Sequence, residues 1–148
     1  MATRSRIGII TETEVKSVYC HWDGYPSNNG KILLKHYTDR KKVEDLVNLG
    51  DMSSLNNSIE KPDGHSFSSP VEGYTVFYHR DRGEDWESVK PLIMETKTKL
   101  SKKLSKEAGL FSEEYAYLFD CRTNKWKYWS CRNDNSWRLL TQKVVKEK

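Results

Sequence analysis

The amino-acid sequence predicts a single α+β domain built on an antiparallel sheet, and three observations carry that expectation. Apolar and polar residues alternate in stretches near both ends of the chain, which is the period of half-buried strands. Between them lies a stretch with apolar residues at helical spacing, closed by a good cap at each end. Five Trp, eight Tyr and four Phe then supply a core to a 148-residue chain that is 36% hydrophobic and 31% charged.

Residues 4–11 set Ile7 and Ile9 against Arg6 and Gly8, and residues 15–22 set Val18, Cys20 and Trp22 against Ser17, Tyr19 and His21. The polar link Glu12-Thr13-Glu14 makes the two a hairpin. Residues 23–30 are rich in turn formers, and residues 31–37 predict a short helix burying Ile32 and Leu33. Thr38 is the expected N-cap of a helix over 39–49, with Val43, Leu46 and Val47 as its apolar stripe and Gly50 just past its end.

Residues 51–71 read as irregular, with isolated apolar anchors at Met52, Leu55, Ile59 and Phe67. A strand over 74–79 leads into a charged turn at 80–85. Pro91 interrupts the start of residues 86–110, which then turn helical around the i, i+4 pair Leu100 and Leu104. Residues 114–121, 126–131 and 136–141 form a three-stranded meander, with 122–125 and 132–135 as hairpin loops. The charged tail, 142–148, is expected to fray. The expected sheet thus has an N-terminal hairpin, a central strand and a C-terminal meander, with two to three helices, in one domain spanning 1–148.

The net charge of +4 is too small by itself to announce a nucleic-acid binder. No apolar run approaches the roughly 18–20 residues that cross a bilayer, and no hydrophobic signal core follows the first six residues. Cys20, Cys121 and Cys131 are odd in number and lack a Cys-x-x-Cys pairing, the pattern of reduced thiols in a cytosol.

Three stretches mix chemistry-bearing residues without a clear period: Tyr19-Cys20-His21-Trp22-Asp23-Gly24-Tyr25-Pro26, Gly64-His65-Ser66-Phe67, and His79-Arg80-Asp81-Arg82-Gly83-Glu84. They are expected to meet in space. The candidate partner- or ligand-binding residues are therefore His21, Trp22, Asp23, Tyr25, His65, Arg80, Asp81 and Arg82. A Cys20–His21 nucleophile pair is disfavoured, because neighbours on a strand point to opposite faces. His21, Asp23, His65 and His79 have the chemistry of metal ligands but no diagnostic spacing, so no metal is assigned. Arg80 and Arg82 suit a phosphate or carboxylate, yet an Arg–Asp network anchoring loops explains them more simply. No glycine-rich phosphate loop is present, and no catalytic residue or cofactor is assigned. Lys97, Lys99, Lys102, Lys103 and Lys106 make a second, basic surface that nucleic acid could use, with Trp126, Tyr128, Trp129 and Trp137 available for stacking.

Several of these motifs, in order, resemble a family of small accessory proteins of tailed bacteriophages. The similarity runs through Thr3-Arg4-Ser5-Arg6-Ile7-Gly8-Ile9, Cys20-His21-Trp22-Asp23-Gly24-Tyr25-Pro26, His36-Tyr37-Thr38-Asp39 and Leu49-Gly50-Asp51-Met52-Ser53-Ser54-Leu55. It continues through Gly64-His65-Ser66-Phe67, Thr75 to Glu84 and Glu114 to Phe119, leaving residues 86–110 as the least similar part. The resemblance implies a phage protein made in the host bacterial cytoplasm, outside the virion, and carries no activity with it. The expected function is binding and blunting a bacterial host factor: a defence component, a nuclease or the transcription machinery. A nucleotide or metal site around His21, His65 and Arg80 is the first alternative, and DNA or RNA binding the second.

Overall fold

The computed structural model describes residues 2–106, 113–132 and 136–146. Along the chain run β1 (Ser5–Ile10), β2 (Val15–Cys20), a π-helical turn (Pro26–Gly30), α1 (Lys31–His36), α2 (Arg40–Asn48), β3 (Met52–Ser54) and β4 (Val76–Phe77). Then follow α3 (Tyr78–Arg82), α4 (Trp86–Val89), β5 (Leu92–Met94), α5 (Lys97–Lys106), β6 (Tyr115–Asp120), β7 (Lys125–Ser130), β8 (Arg138–Leu139) and α6 (Gln142–Lys146). This is the expected α+β class.

The eight strands form one sheet in the order β4-β3-β2-β1-β6-β7-β8, with β5 also pairing β2. The hairpin is as predicted, in register from Ser5 opposite Cys20 to Ile10 opposite Val15. The sheet is mixed, however, because β1 runs parallel to β6 and β2 parallel to β3. The first and last thirds of the chain thus meet at the centre. The outer edge of β2 is divided: residues 15–17 pair with β5, and Cys20 pairs with Met52 of β3.

Strand alternation assigns the two faces. One carries Ile7, Ile9, Val18, Cys20, Tyr117, Phe119 and Trp126, covered by Leu33 of α1, Val43, Leu46 and Val47 of α2, and Val145 of α6. The other carries Ile10, Val15, Ala116, Leu118 and Trp129 under Leu100 and Leu104 of α5. On that second face the opposite ends of β1 and β2 are polar, presenting Arg6, Ser17 and Tyr19.

Local differences from expectation have physical causes. Asp39, not Thr38, caps α2, its carboxylate accepting the Lys42 amide at 3.1 Å. Gly50 takes a left-handed φ of 86° just past that helix, as anticipated. Residue ranges 51–54 and 91–94 contain strands where irregular chain and a stretch left open by Pro91 were expected, and only Val76–Phe77 of the 74–79 stretch is strand. The predicted charged turn begins with α3. The tail does not fray through residue 146, because Val145 is buried against the first-face core. Residues 107–110 of the predicted long helix, and 133–135 of the second hairpin loop, lie outside the described residues. Among the described residues, no helix is long and apolar enough to cross a membrane.

Candidate functional site

The long segment between β3 and α3 has almost no regular structure, so its backbone groups need side-chain partners. His65 and Asp81 provide them from the interior, both fully buried. The His65 Nδ1 accepts the Val71 amide at 2.9 Å, which places the ring proton on Nε2. That N–H faces the Thr75 carbonyl at 3.2 Å and the Asp81 carboxylate at 3.4 Å. Asp81 also accepts the Phe77 amide at 2.8 Å and both Nε and an Nη of Arg80, at 2.9 and 3.1 Å. Arg80 also donates to the Ile59 and Thr75 carbonyls and stacks over Phe77. Burial alone would raise the Asp81 pKa, but the Arg80 guanidinium and the Phe77 amide hold the carboxyl below the ordinary range. Every described bond in this knot is internal.

His65 of the second motif segment and Arg80 and Asp81 of the third therefore do meet, while residues 21–25 of the first do not join that knot. Among the described residues, no hydrogen bond, ion pair or ring contact links residues 21–25 to His65, Arg80 or Asp81. Asp23, at a left-handed φ of 54°, and Tyr25 face each other at 3.4 Å on the loop after β2. That loop is pinned by Tyr117, whose hydroxyl donates to the Gly24 carbonyl at 2.6 Å, and by Asn29, which donates to Ser5, Cys20 and Trp22.

His21 and Trp22 instead join residues on the second face of the sheet. Arg4 Nε donates to the Tyr19 hydroxyl at 3.0 Å, so that hydroxyl gives its own proton to His21 Nδ1 at 2.7 Å. The remaining His21 nitrogen is left to carry the ring N–H. Burial and the Arg4 charge push the His21 pKa down. Trp22 stands edge-on to the imidazole at 4.7 Å and is 44% exposed. Its amide donates to the Ser53 carbonyl at 3.0 Å, and two residues back the Asp51 carbonyl takes the Tyr78 amide at 3.2 Å. Tyr78 lies against Phe67, and the Arg82 guanidinium stacks over both rings at 4.7 and 4.3 Å. Arg82 is 43% exposed and pairs with Glu84. The result is a strip of two aromatic groups, Tyr19, His21 and Trp22 beside Arg4 and Phe67 and Tyr78 beside Arg82, joined through the β3 segment, where Ser53 takes the Trp22 amide and Asp51 the Tyr78 amide.

Of the eight candidate residues, the strip holds His21, Trp22 and Arg82; His65, Arg80 and Asp81 are in the loop knot, and Asp23 and Tyr25 on the adjoining loop. Arg4, Tyr19 and Tyr78 were missed. The hairpin register alone places Arg4 and Tyr19 on one face, a signal available from alternation. The four metal-ligand candidates do not converge, because His79 binds the Glu84 carbonyl and packs on Trp86. No group of three or more His, Cys, Asp or Glu is placed to hold a metal ion among the described residues. Cys20 is buried, which drives its pKa up to about 12, far from a nucleophile.

On α5, Lys99 pairs with Glu95 at 2.7 Å, Lys97 and Lys103 are half-buried, and Lys102 is exposed. The side chain of Lys106 lies outside the described residues. No protein-family model, no curated protein and no solved structure matches this chain.

Proposed function

We propose that the chain is a bacteriophage accessory protein that binds a bacterial host factor and acts by occluding it. The observation that carries this reading is the aromatic strip between Arg4 and Arg82. Tryptophan, tyrosine and arginine dominate interface hot spots because they bury large, rigid areas and desolvate well. Here Trp22 is held half-exposed against His21 and Arg82 against Phe67 and Tyr78, so less ordering entropy remains to be lost on binding. Occlusion needs a stable complementary surface and no reaction. The small-ligand alternative has less support, since His21 shares no contact with His65 or Arg80. Nucleic acid has less support too, since Lys99 is paired and two of its neighbours are half-buried.

The test compares the wild-type chain with a Trp22→Ala, Arg82→Ala double variant as baits in nuclease-treated lysate of infected bacteria, read by mass spectrometry. The wild type is expected to retain one host protein at near-stoichiometric yield. The double variant, with an unchanged melting temperature, should lose it by about tenfold or more. Equal recovery on both baits rejects the strip as the docking surface. A partner that disappears on nuclease treatment moves the assignment to nucleic acid.

A further inference from the structure

Away from the strip, a pocket of about 370 Å³ opens on the first face of the sheet, where β6 begins opposite the end of β7. Thr3, Tyr25, Glu114, Tyr115 and Arg132 line it. Its volume falls in the range that encloses small ligands, roughly 300–1,000 Å³. Tyr115 is only 8% exposed, yet its hydroxyl has no hydrogen bond among the described residues. A buried tyrosine ordinarily finds a partner for that group. No sealed side-chain oxygen or nitrogen lacks a partner among the described residues, so the Tyr115 hydroxyl is open to the pocket. Burial pushes its pKa up, and the Arg132 guanidinium lies close enough to oppose the rise.

Strand alternation brings Arg132 to the same face, since Ser130 stands opposite Tyr115 and Arg132 is two positions on. Arg132 is exposed, its amide donates to the Ser130 hydroxyl, and its guanidinium has no hydrogen bond or ion pair among the described residues. Thr3 is held alongside through its carbonyl, which accepts the Gly24 amide at 2.8 Å and leaves the hydroxyl unspent. Glu114 donates its amide to the Arg4 carbonyl, so alternation carries its carboxylate to the second face with Arg4. Asp23 is engaged by the Tyr25 hydroxyl at 3.4 Å. The pocket thus gathers a guanidinium and two hydroxyls with donors to spare, a set complementary to an oxyanion.

We infer that this pocket binds a small organic phosphate monoester, its phosphoryl oxygens meeting Arg132, Tyr115 and Thr3 and its organic part filling the space beside Tyr25. Three donor groups match the three terminal oxygens of a tetrahedral phosphate better than the two of a planar carboxylate. A bare phosphate would leave most of the volume empty. The site lies on the opposite face from the strip and is independent of the host-factor reading.

Titration calorimetry of the full chain with phenyl phosphate, inorganic phosphate, benzoate and benzylammonium tests it, with variants compared at unchanged melting temperature. Phenyl phosphate is expected to bind saturably at one site, about tenfold more tightly than inorganic phosphate or benzoate, and benzylammonium not at all. Arg132→Gln should weaken phenyl phosphate about tenfold, and Tyr115→Phe, which removes the hydroxyl alone, about fivefold. Lys102→Gln, at an exposed position on α5, should leave it unchanged. Benzoate binding as tightly as phenyl phosphate overturns the phosphate assignment, and inorganic phosphate doing so overturns the organic part. Equal affinity for benzylammonium, undiminished binding by Arg132→Gln and Tyr115→Phe, or no saturable uptake overturns the site.

Discussion

Arg80 and Arg82 are two positions apart on one short helix and have opposite surroundings. Arg80 neutralises a fully buried carboxylate and holds two carbonyls, so Arg80→Ala strands the Asp81 charge in the interior. That substitution is expected to cost about 3 kcal/mol in urea unfolding, whereas Arg82→Ala, losing a half-exposed pair with Glu84, should cost less than about 1 kcal/mol. Similar costs for both would show that the knot is not a structural unit. The same carboxylate sets an acid limit. Its folded pKa lies below the ordinary carboxylate range, so its stabilisation is present above that range and lost as pH falls through the depressed value.

Asp51 has the reverse sign. Burial pushes its pKa up to about 6, although the carboxylate accepts the Tyr19 amide at 2.8 Å. The folded chain keeps a proton there that the unfolded chain releases, so stability falls as pH rises from the ordinary carboxylate range to about 6. Asp51→Asn keeps an acceptor for Tyr19 and removes the charge. It should raise stability at pH 7 by about 1 to 2 kcal/mol and leave it unchanged near pH 4. Unfolding free energies across that range check the crossover, and a variant equally stabilised at both ends would refute the linkage.

At the scale of elements, β2 is held along its outer edge by β5, by the Asp51 carboxylate and by β3 in turn. On its inner edge, Gly8 faces Ser17 so closely that an added Cβ would run into the Lys16 carbonyl. Gly8→Ala is therefore expected to lose about 2 to 3 kcal/mol through backbone displacement at the sheet centre. Denaturant unfolding would show it, and a loss within experimental error would mean the hairpin yields easily. The hairpin, α2, β6 and β7 were legible because their period is written locally in the chain. β3 and β5 were not, since three residues cannot display alternation and their pairing is set by the edge of β2. Parallel pairing of β1 with β6 leaves no local mark at all. The helix at 142–146 was hidden because its docking rests on tertiary contacts, Val145 and Val144 on the first-face core, that leave no local period in so short a stretch. At the candidate site, residue chemistry pointed to Trp22 and Arg82. Composition could not reveal that tertiary packing draws Arg80 inward while leaving Arg82 on the surface.

At the scale of the whole molecule, the fold is closed by contacts between sequence extremes. β1 pairs with β6 over six residues, Tyr117 holds the Gly24 carbonyl, and Trp126 holds the Tyr37 carbonyl. Removing β6 would expose a long edge of β1, open the first-face core and unpin the loop that follows His21 and Trp22. A fragment ending at residue 106 keeps the hairpin, α2 and the loop knot, yet it loses Tyr117, Phe119, Trp126, Leu140 and Val145 from the main core. Because folding free energies are small differences between large terms, that loss exceeds the whole margin of about 5–15 kcal/mol. The full chain is expected to unfold in one transition, coincident by far-ultraviolet circular dichroism and tryptophan fluorescence, while the fragment stays unfolded. A folded fragment, or two separated transitions, would mean that the aromatic strip stands on an independent N-terminal unit. A single transition ties it to the entire sheet, so that substitutions such as Trp126→Phe, which leave the buried Tyr37 carbonyl unpaired, would weaken partner binding by lowering the folded fraction and not the affinity of the folded chain.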